Sequence, residues 1–448
     1  MSLATAATPL NQDQALSLIE SVINQSEAEG VFVRVGAEES ALSRFSENQI
    51  SQNVSQSEFS LTITSYFGTR SASASTTETE PDAIKAALRR SEELAQIAPE
   101  DPEWVPLLPP QSYEDRTPAF DTATATLSPL ERGELIQRVC AESAAAKVDG
   151  SGTLSTETSV QAIGNSQGLR AYNQGTNVSY SYTARIEDGS SWSQRTAWAV
   201  EQLPIASLTQ QIIERALASR QPRDVKPGKY PVVFDGAALA DLLPWVMWNL
   251  EARAADEGRS FMSRTDESGK PVGNRLGEPL FSPLVQVQRH AAHPLLQMGT
   301  FFSDGLSNSS LEVIKDGIPQ FLAYSRYWAA QQGKEPTGAM FPIVMTGSSQ
   351  SLTDLIASTE RGILVSRAWY VRYVNARTLE VTGMTRDGTF WIEDGQIAYP
   401  IKNLRFNQLL PEMLRDIDAV SMVHRFGNSV VPGVRVKEFN FSSVTDSV

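Results

Sequence analysis

The sequence predicts an α+β protein, with an N-terminal α/β region of helices packed on sheets and a mainly antiparallel, β-rich C-terminal domain. Three observations carry this. Amphipathic helical runs alternate with strand-like runs as far as residue 220. A stretch of prolines and charges follows at 221–228 and reads as a linker. Beyond it, Asp-Gly pairs at Asp316-Gly317, Asp387-Gly388 and Asp394-Gly395 punctuate apolar or alternating runs, the pattern of two-residue hairpins. The expected domains are therefore 1–220, divisible into 1–97 and 122–220, and 229–448.

The elements follow in order. Asn11 caps a helix over Asn11–Asn24, with Gln14 three residues on and Ala15, Leu18, Ile19, Val22 and Ile23 at helical spacing. Strands are expected at Val31–Val35, Ser43–Ile50 and Glu58–Ser65. Pro81 opens a second helix whose inner face takes Ala83, Ile84, Ala87, Leu88 and Leu94. Six prolines between Ala98 and Asp121 forbid a regular ladder and require an extended, exposed crossing. Ser128, Pro129 and Glu131 start a third helix that turns Leu130, Ile136, Val139 and Cys140 inward. Gly152–Val200 is β-rich, and Ile205–Ala218 is a helix with Leu208, Ile212 and Ile213 as its stripe. The second half thus roughly repeats the order of the first. In the C-terminal domain, Tyr230–Phe234 is a short buried strand and Ala237–Asp256 one long apolar helix, with further helices at Leu352–Ser358 and Gln408–Ile417.

Composition narrows the function. The 448 residues carry a formal net charge of −14, which offers no basic surplus to displace the counterions of a nucleic acid. Cys140 is the single cysteine, so no internal disulfide forms and a cytoplasmic location is expected. No basic and apolar leader opens the chain, and no window approaches about 18 uninterrupted apolar residues, which argues against secretion and membrane spanning.

Several segments, in their shared order, resemble the TldD/PmbA proteins, a family once described as modulators of DNA gyrase and now regarded as peptidases. Arg44-Phe45-Ser46-Glu47-Asn48-Gln49-Ile50 is similar to that family's RFxxNxI strand, and Gly164–Arg170 to its NSxG turn. Lys226–Leu243 resembles the strand and helix that open its catalytic domain. Glu312–Gly317 with Pro336-Thr337-Gly338, and Gly388–Pro400, resemble two later hairpin motifs. Taken singly, each has a simpler explanation: Gly168 and Gly395 supply turns, and Asn48 and Asn165 bond local backbone.

The resemblance implies HExxxH on the helix after that first strand, with a cysteine near the C-terminus completing a zinc site. Two histidines on one helix hold the metal jointly, and the glutamate between them takes a proton from metal-bound water. Here the helix segment Leu242–Glu251 contains no histidine, and Arg425–Pro432, where the cysteine is due, contains no cysteine. The resemblance therefore places the chain in the PmbA (TldE) branch. It implies a subunit without catalytic residues or zinc of its own. Its partner would be a zinc-bearing TldD-like homologue, or a second copy of itself, and its substrate unfolded peptide.

Other candidates are weaker. Trp245, Trp248 and Asn249 could line a peptide chamber, but core packing is the expectation for at least one of the tryptophans. His290 and His293, spaced HxxH, could offer two metal ligands to an active hydrolase with an unrecognised site; Pro294 and the lack of an adjacent acid favour a solvated loop. A homodimeric peptide-binding protein is a further alternative. His424 stands alone, and Cys140 on an apolar stripe reads as a small buried hydrophobe.

Overall fold

The computed structural model describes residues 9–116 and 119–445, so Thr117 and Pro118 of the proline-rich crossing lie outside the described residues, as do both ends of the chain. The N-terminal part holds helices α1 (Gln12–Gln25), α2 (Pro81–Ile97), short α3 (Thr122–Ala125), α4 (Pro129–Ala145) and α5 (Ile205–Ala218). Its strands are β1 (Gly30–Ser46), β2 (Gln49–Phe67), β3 (Arg70–Thr76), β4 (Asp149–Asn165), β5 (Arg170–Ile186) and β6 (Gly189–Ala197). They form one antiparallel sheet in the order β3-β2-β1-β4-β5-β6. The two halves join where β1 pairs with β4, from Phe32 opposite Asn165 to Phe45 opposite Gly152.

Local chemistry sets the helix starts. Asn11 with Gln14, and Ser128 with Glu131, form reciprocal capping boxes, and Pro81 and Pro129 stand in their first helical turns. Helices α1, α2, α4 and α5 cover one face of the sheet. Ile19, Val33, Leu61 and Leu88 close the core of the first half, and Phe45, Ile136, Tyr180 and Ile212 that of the second. Leu94 and Leu130 do not turn inward: Leu130 is 72% exposed, outside the buried stripe of α4. The strand expected at Ser43–Ile50 is instead the end of β1, a turn at Glu47-Asn48 and the start of β2. Both strands run well past their apolar stretches, pairing with each other through largely exposed residues.

The proline-rich crossing is strapped down rather than free. Leu107 and Tyr113 pack with Phe32, Ile163 and Phe301, and the Tyr113 hydroxyl donates to the Gly305 carbonyl at 2.8 Å. Asn165 Nδ2 donates to the Leu108 carbonyl at 2.8 Å, so the turn that carries Asn165 anchors the strap.

The C-terminal part begins with β7 (Gly228–Phe234), α6 (Gly236–Trp248), α7 (Ala252–Asp256), β8 (Ser263–Thr265), β9 (Pro271–Asn274), β10 (Val287–Arg289), β11 (Leu311–Lys315) and β12 (Ile318–Pro319). There follow α8 (Arg326–Gln332), β13 (Ile343–Met345), α9 (Leu352–Ala357), β14 (Arg361–Val365), β15 (Ala368–Asn375), β16 (Glu380–Thr385), β17 (Thr389–Glu393) and β18 (Gln396–Pro400). The last elements are β19 (Leu404–Leu409), α10 (Leu410–Arg415), β20 (Ile417–Phe426) and β21 (Ser429–Val444). Most of these strands join one large, mostly antiparallel sheet with β21 at its hub, although β21 meets β13, and β7 meets β14, in parallel. This is the α+β architecture expected. No helix among the described residues is long and apolar enough to cross a membrane.

Three local expectations are corrected. The single helix over Ala237–Asp256 breaks at Asn249–Glu251, where Glu251 accepts hydrogen bonds from the Arg253 and Ala254 N–H groups of α7. Gln408 belongs to strand β19, and the helix after it is confined to Leu410–Arg415, with Pro411 in its first turn. Asp387-Gly388 is not a hairpin: β16 and β17, on either side, pair with different strands, and the Asp387 carboxylate anchors the crossing between them by ion pairs to Arg367 and Arg386.

Candidate functional site

Helix α6 is fixed at its start from two sides. Asp235 caps it by accepting from the Ala237 N–H, and its Oδ2 lies 2.8 Å from Arg215 Nη1 on α5 of the N-terminal part. Burial pushes the Asp235 carboxyl up, but Arg215 and Arg195 together outweigh it and hold the group below the usual carboxylate range. Gly236 then allows close approach to the β20–β21 turn, since a Cβ there would stand 2.9 Å from the Phe426 ring. The start of the helix and the β20–β21 turn, where the resemblance implies a cysteine, therefore meet in space.

The helix buries Leu239, Leu242, Leu243 and Val246. Asp241, Trp245 and Trp248 fall on another stripe, each about one turn after the last. Trp245 is half-buried, and its ring meets Tyr373 edge-on at 4.6 Å and Trp248 at 5.6 Å between centroids. Trp248 is 55% exposed, with Phe341 at 5.9 Å, so it is not a core residue. Trp245 lies at the core margin, packed against the main cluster, and neither tryptophan is fully buried. Asn249 ends the helix and ties it to β15: its Nδ2 donates to the Trp245 carbonyl at 2.7 Å and to the Tyr373 hydroxyl at 2.8 Å.

Strand β15 extends this aromatic wall. Trp369, Tyr370, Tyr373 and Val374 are all substantially exposed, and β15 pairs only with β16 among the described residues. Tyr370 has φ +57°, a left-handed conformation that is rare for a bulky side chain, at a bulge in the β15–β16 ladder. The Arg372 guanidinium lies 3.9 Å over its ring. Behind the wall, the Arg367 guanidinium is sandwiched between Trp192 of β6 at 3.8 Å and Trp369 at 4.1 Å, and Arg367 Nη1 donates to Asp387 at 2.9 Å.

Asp241 is the residue that sequence reasoning missed. It is the single ionisable side chain of α6, its Oδ2 is buried, and that oxygen has no hydrogen-bond partner among the described residues. Burial pushes its carboxyl up to about 7, with Arg367 pulling only partly downward. Such a group holds or releases a proton near neutral pH. One acid in an otherwise apolar helix was the available signal. Arg367 and Tyr373 carried none, because their meeting with α6 depends on the sheet.

The remaining candidates lie elsewhere. His290 and His293 follow β10, with ring centroids 5.9 Å apart, and His290 Nδ1 lies 2.7 Å from Ser310 Oγ. Among the described residues no group of three or more His, Cys, Asp or Glu is placed to hold a metal ion. Cys140 is buried on α4, and burial raises its thiol. The motif residues act on backbone: Asn48 Nδ2 donates to the Val148 carbonyl, its Oδ1 accepts from the Gly150 N–H, and Thr337 Oγ1 donates to the Leu322 carbonyl.

Comparison with known proteins extends over most of the chain. Residues 26–95, 123–220 and 227–443 match, in that order, domain 1, the central domain and the C-terminal domain of the PmbA/TldA metallopeptidases. Metalloprotease PmbA of Escherichia coli O157:H7 is 24% identical over 383 residues, covering 81% of each chain. A metalloprotease PmbA homologue of Haemophilus influenzae is also 24% identical, over 81% of this chain and 80% of its own. The solved structure of TldE from Thermococcus kodakarensis superposes with a TM-score of 0.83 at 18% identity, covering 95% of this chain and 100% of that one. A structure from Bacteroides thetaiotaomicron superposes with the same TM-score of 0.83, at 18% identity over 96% and 98% of the two chains. By its three successive domains and its fold, the chain belongs to the PmbA/TldD metallopeptidase family.

Proposed function

We propose that this chain is a subunit of a cytoplasmic zinc-peptidase assembly that holds no zinc itself and shapes the space in which a zinc-bearing homologue cleaves unfolded peptides. One observation carries the reading. If the glutamate of HExxxH is set on Asp241, the only acid of α6, the two ligand places fall on Ala240 and Trp245. Neither side chain can bind zinc, while the acid is kept. The turn packed against the helix start offers Phe426, Gly427 and Asn428 where a thiolate would be needed.

In place of the metal stands a surface suited to peptide. Trp245, Trp248, Trp369, Tyr370 and Tyr373 present aromatic area beside a buried acid, and such side chains concentrate contact energy when they are covered. The test is purification of the tagged chain from its own cell, followed by identification and reconstitution of what accompanies it. A companion carrying HExxxH and zinc, with peptide cleavage that needs both chains, is the expected result. Cleavage by this chain alone would overturn the reading.

A further inference from the structure

Between the polar face of the N-terminal sheet and the C-terminal part lies a cavity of about 350 Å³, separate from the aromatic wall. Its lining includes Glu157, Ser159 and Gln161 of β4, Asn177 of β5, the loop Leu296–Gly299 and Arg425 of β20. A cavity of this size falls at the lower end of the range for small-ligand sites, about 300–1,000 Å³.

Arg425, like Arg132 and Arg289, is a buried cation without an ion pair among the described residues, and it is the one that lines this cavity. It is 7% exposed, yet no carboxylate lies within ion-pair distance of it among the described residues. Its Nε donates to the Gly427 carbonyl at 2.9 Å, Nη1 to the Leu295 carbonyl at 3.1 Å and Nη2 to Asn177 Oδ1 at 2.9 Å. All three acceptors are neutral, and burial lowers the guanidinium to about 10. A guanidinium has about five N–H donors, so this set leaves part of its fork unused. In a chain of net charge −14, a buried cation beside a cavity and without an anion is incomplete, since buried charge is ordinarily paired.

The rest of the cavity selects among anions. Glu157 stands directly across the β4–β5 ladder from Asn177, the residue that Arg425 holds. Burial and the neighbouring Glu38 push the Glu157 carboxyl upward, so this end of the cavity already disfavours negative charge. A multiply charged anion such as phosphate is opposed there. A single carboxylate followed by N–H donors suits both ends: its plane matches the guanidinium fork, and the donors behind it meet the oxygens of Glu157, Ser159 and Gln161.

We propose that this cavity binds the C-terminal end of a short peptide, with the α-carboxylate on Arg425 and peptide N–H groups toward Glu157 and Gln161. The site rests on the reading of the chain as a peptide-handling subunit, and adds where a chain end is held. Isothermal titration calorimetry of the full chain with N-acetylated trialanine (hereafter trialanine), its C-terminal amide, acetate and inorganic phosphate tests it, the acetyl group removing an ammonium that Glu157 would attract. Trialanine binds, its amide binds at least about tenfold more weakly, and acetate and phosphate both bind more weakly than trialanine.

Arg425→Gln should abolish the preference for the free acid. Because Arg425 also bonds backbone, a second variant is needed: Gln161→Glu adds a carboxylate without removing a described hydrogen bond, and should weaken trialanine by at least about tenfold with an unchanged melting temperature. Acid and amide binding equally, phosphate or acetate binding at least as tightly as trialanine, or no peptide binding at all would each overturn the proposal. None of these depends on a companion subunit or on cleavage, so the assembly reading stands or falls by its own test.

Discussion

The Tyr373 hydroxyl accepts a hydrogen bond from Asn249 at 2.8 Å while the Tyr373 ring meets Trp245 edge-on, so one side chain of β15 holds both the end and the flank of α6. The two tryptophans of that helix should therefore respond differently to truncation. Trp245→Ala opens a gap between α6 and β15 and should cost about 2–3 kcal/mol, somewhat below the cost of deleting a fully buried aromatic. Trp248→Ala should stay within about 1 kcal/mol of wild type, as an exposed side chain does, while lowering cleavage by the reconstituted assembly. Melting curves beside a peptide-cleavage assay decide both. Equal destabilisation by the two changes would show that the helix is not seated as described.

The zinc content of the isolated chain follows from the same helix. If the ligand places fall on Ala240 and Trp245 as proposed, and with no cysteine in the β20–β21 turn, the purified chain should retain no stoichiometric zinc after dialysis. Elemental analysis reads this directly. One tightly held zinc per chain would sink the proposed division of labour.

Asp241 should impose a pH dependence. Its carboxyl is raised in the folded chain, so between the unfolded value of about 3.9 and the folded value the native state binds more protons than the unfolded state. The Asp241 contribution to stability must then fall as pH rises from about 4 to 7, and level off above. Asp241→Asn removes the cost of burying the charge and should stabilise the chain at pH 8 by roughly 2–4 kcal/mol, with little difference at about pH 4. Chemical denaturation at the two pH values measures it. A gain of the same size at both would mean that the effect is packing and not ionisation.

Much of the fold was legible because it rests on short-range rules. Asn11 with Gln14, Ser128 with Glu131, and the prolines at the starts of α2 and α4 each mark a helix start by chemistry confined to one turn. The long hairpin of β1 and β2 was not legible, because from Glu38 to Ser57 its residues are largely exposed and show no apolar alternation. The break after Trp248 was missed for the opposite reason: apolar residues continue through it, and only the Asn249 and Glu251 side chains mark the change. At the candidate site, the absence of histidine from Leu242–Glu251 and of cysteine from Arg425–Pro432 could be read from residue identity alone. The surroundings of Asp241 and Arg425 could not, since each depends on strands far away in sequence.

The joint between the two parts gives the last prediction. Asp235 combines the cap of α6 with an ion pair to Arg215, and its carboxyl is held low despite burial. A depressed carboxylate contributes stability that is present above the unfolded value of about 3.9 and is lost as pH falls through the folded value. Asp235→Asn keeps a side chain that caps helices well and removes only the charge, leaving Arg215 and Arg195 facing each other near a neutral amide. Breaking a buried pair in this way costs about 3–5 kcal/mol. The loss should be full at about pH 7 and shrink as pH falls below about 4, where the unfolded carboxylate takes up its proton before the native one does. Denaturation at about pH 7 and about pH 3 separates this from a capping defect, which would cost the same at both. A pH-independent loss would show that the cap, and not the ion pair with α5, is what Asp235 contributes to the seating of the helix.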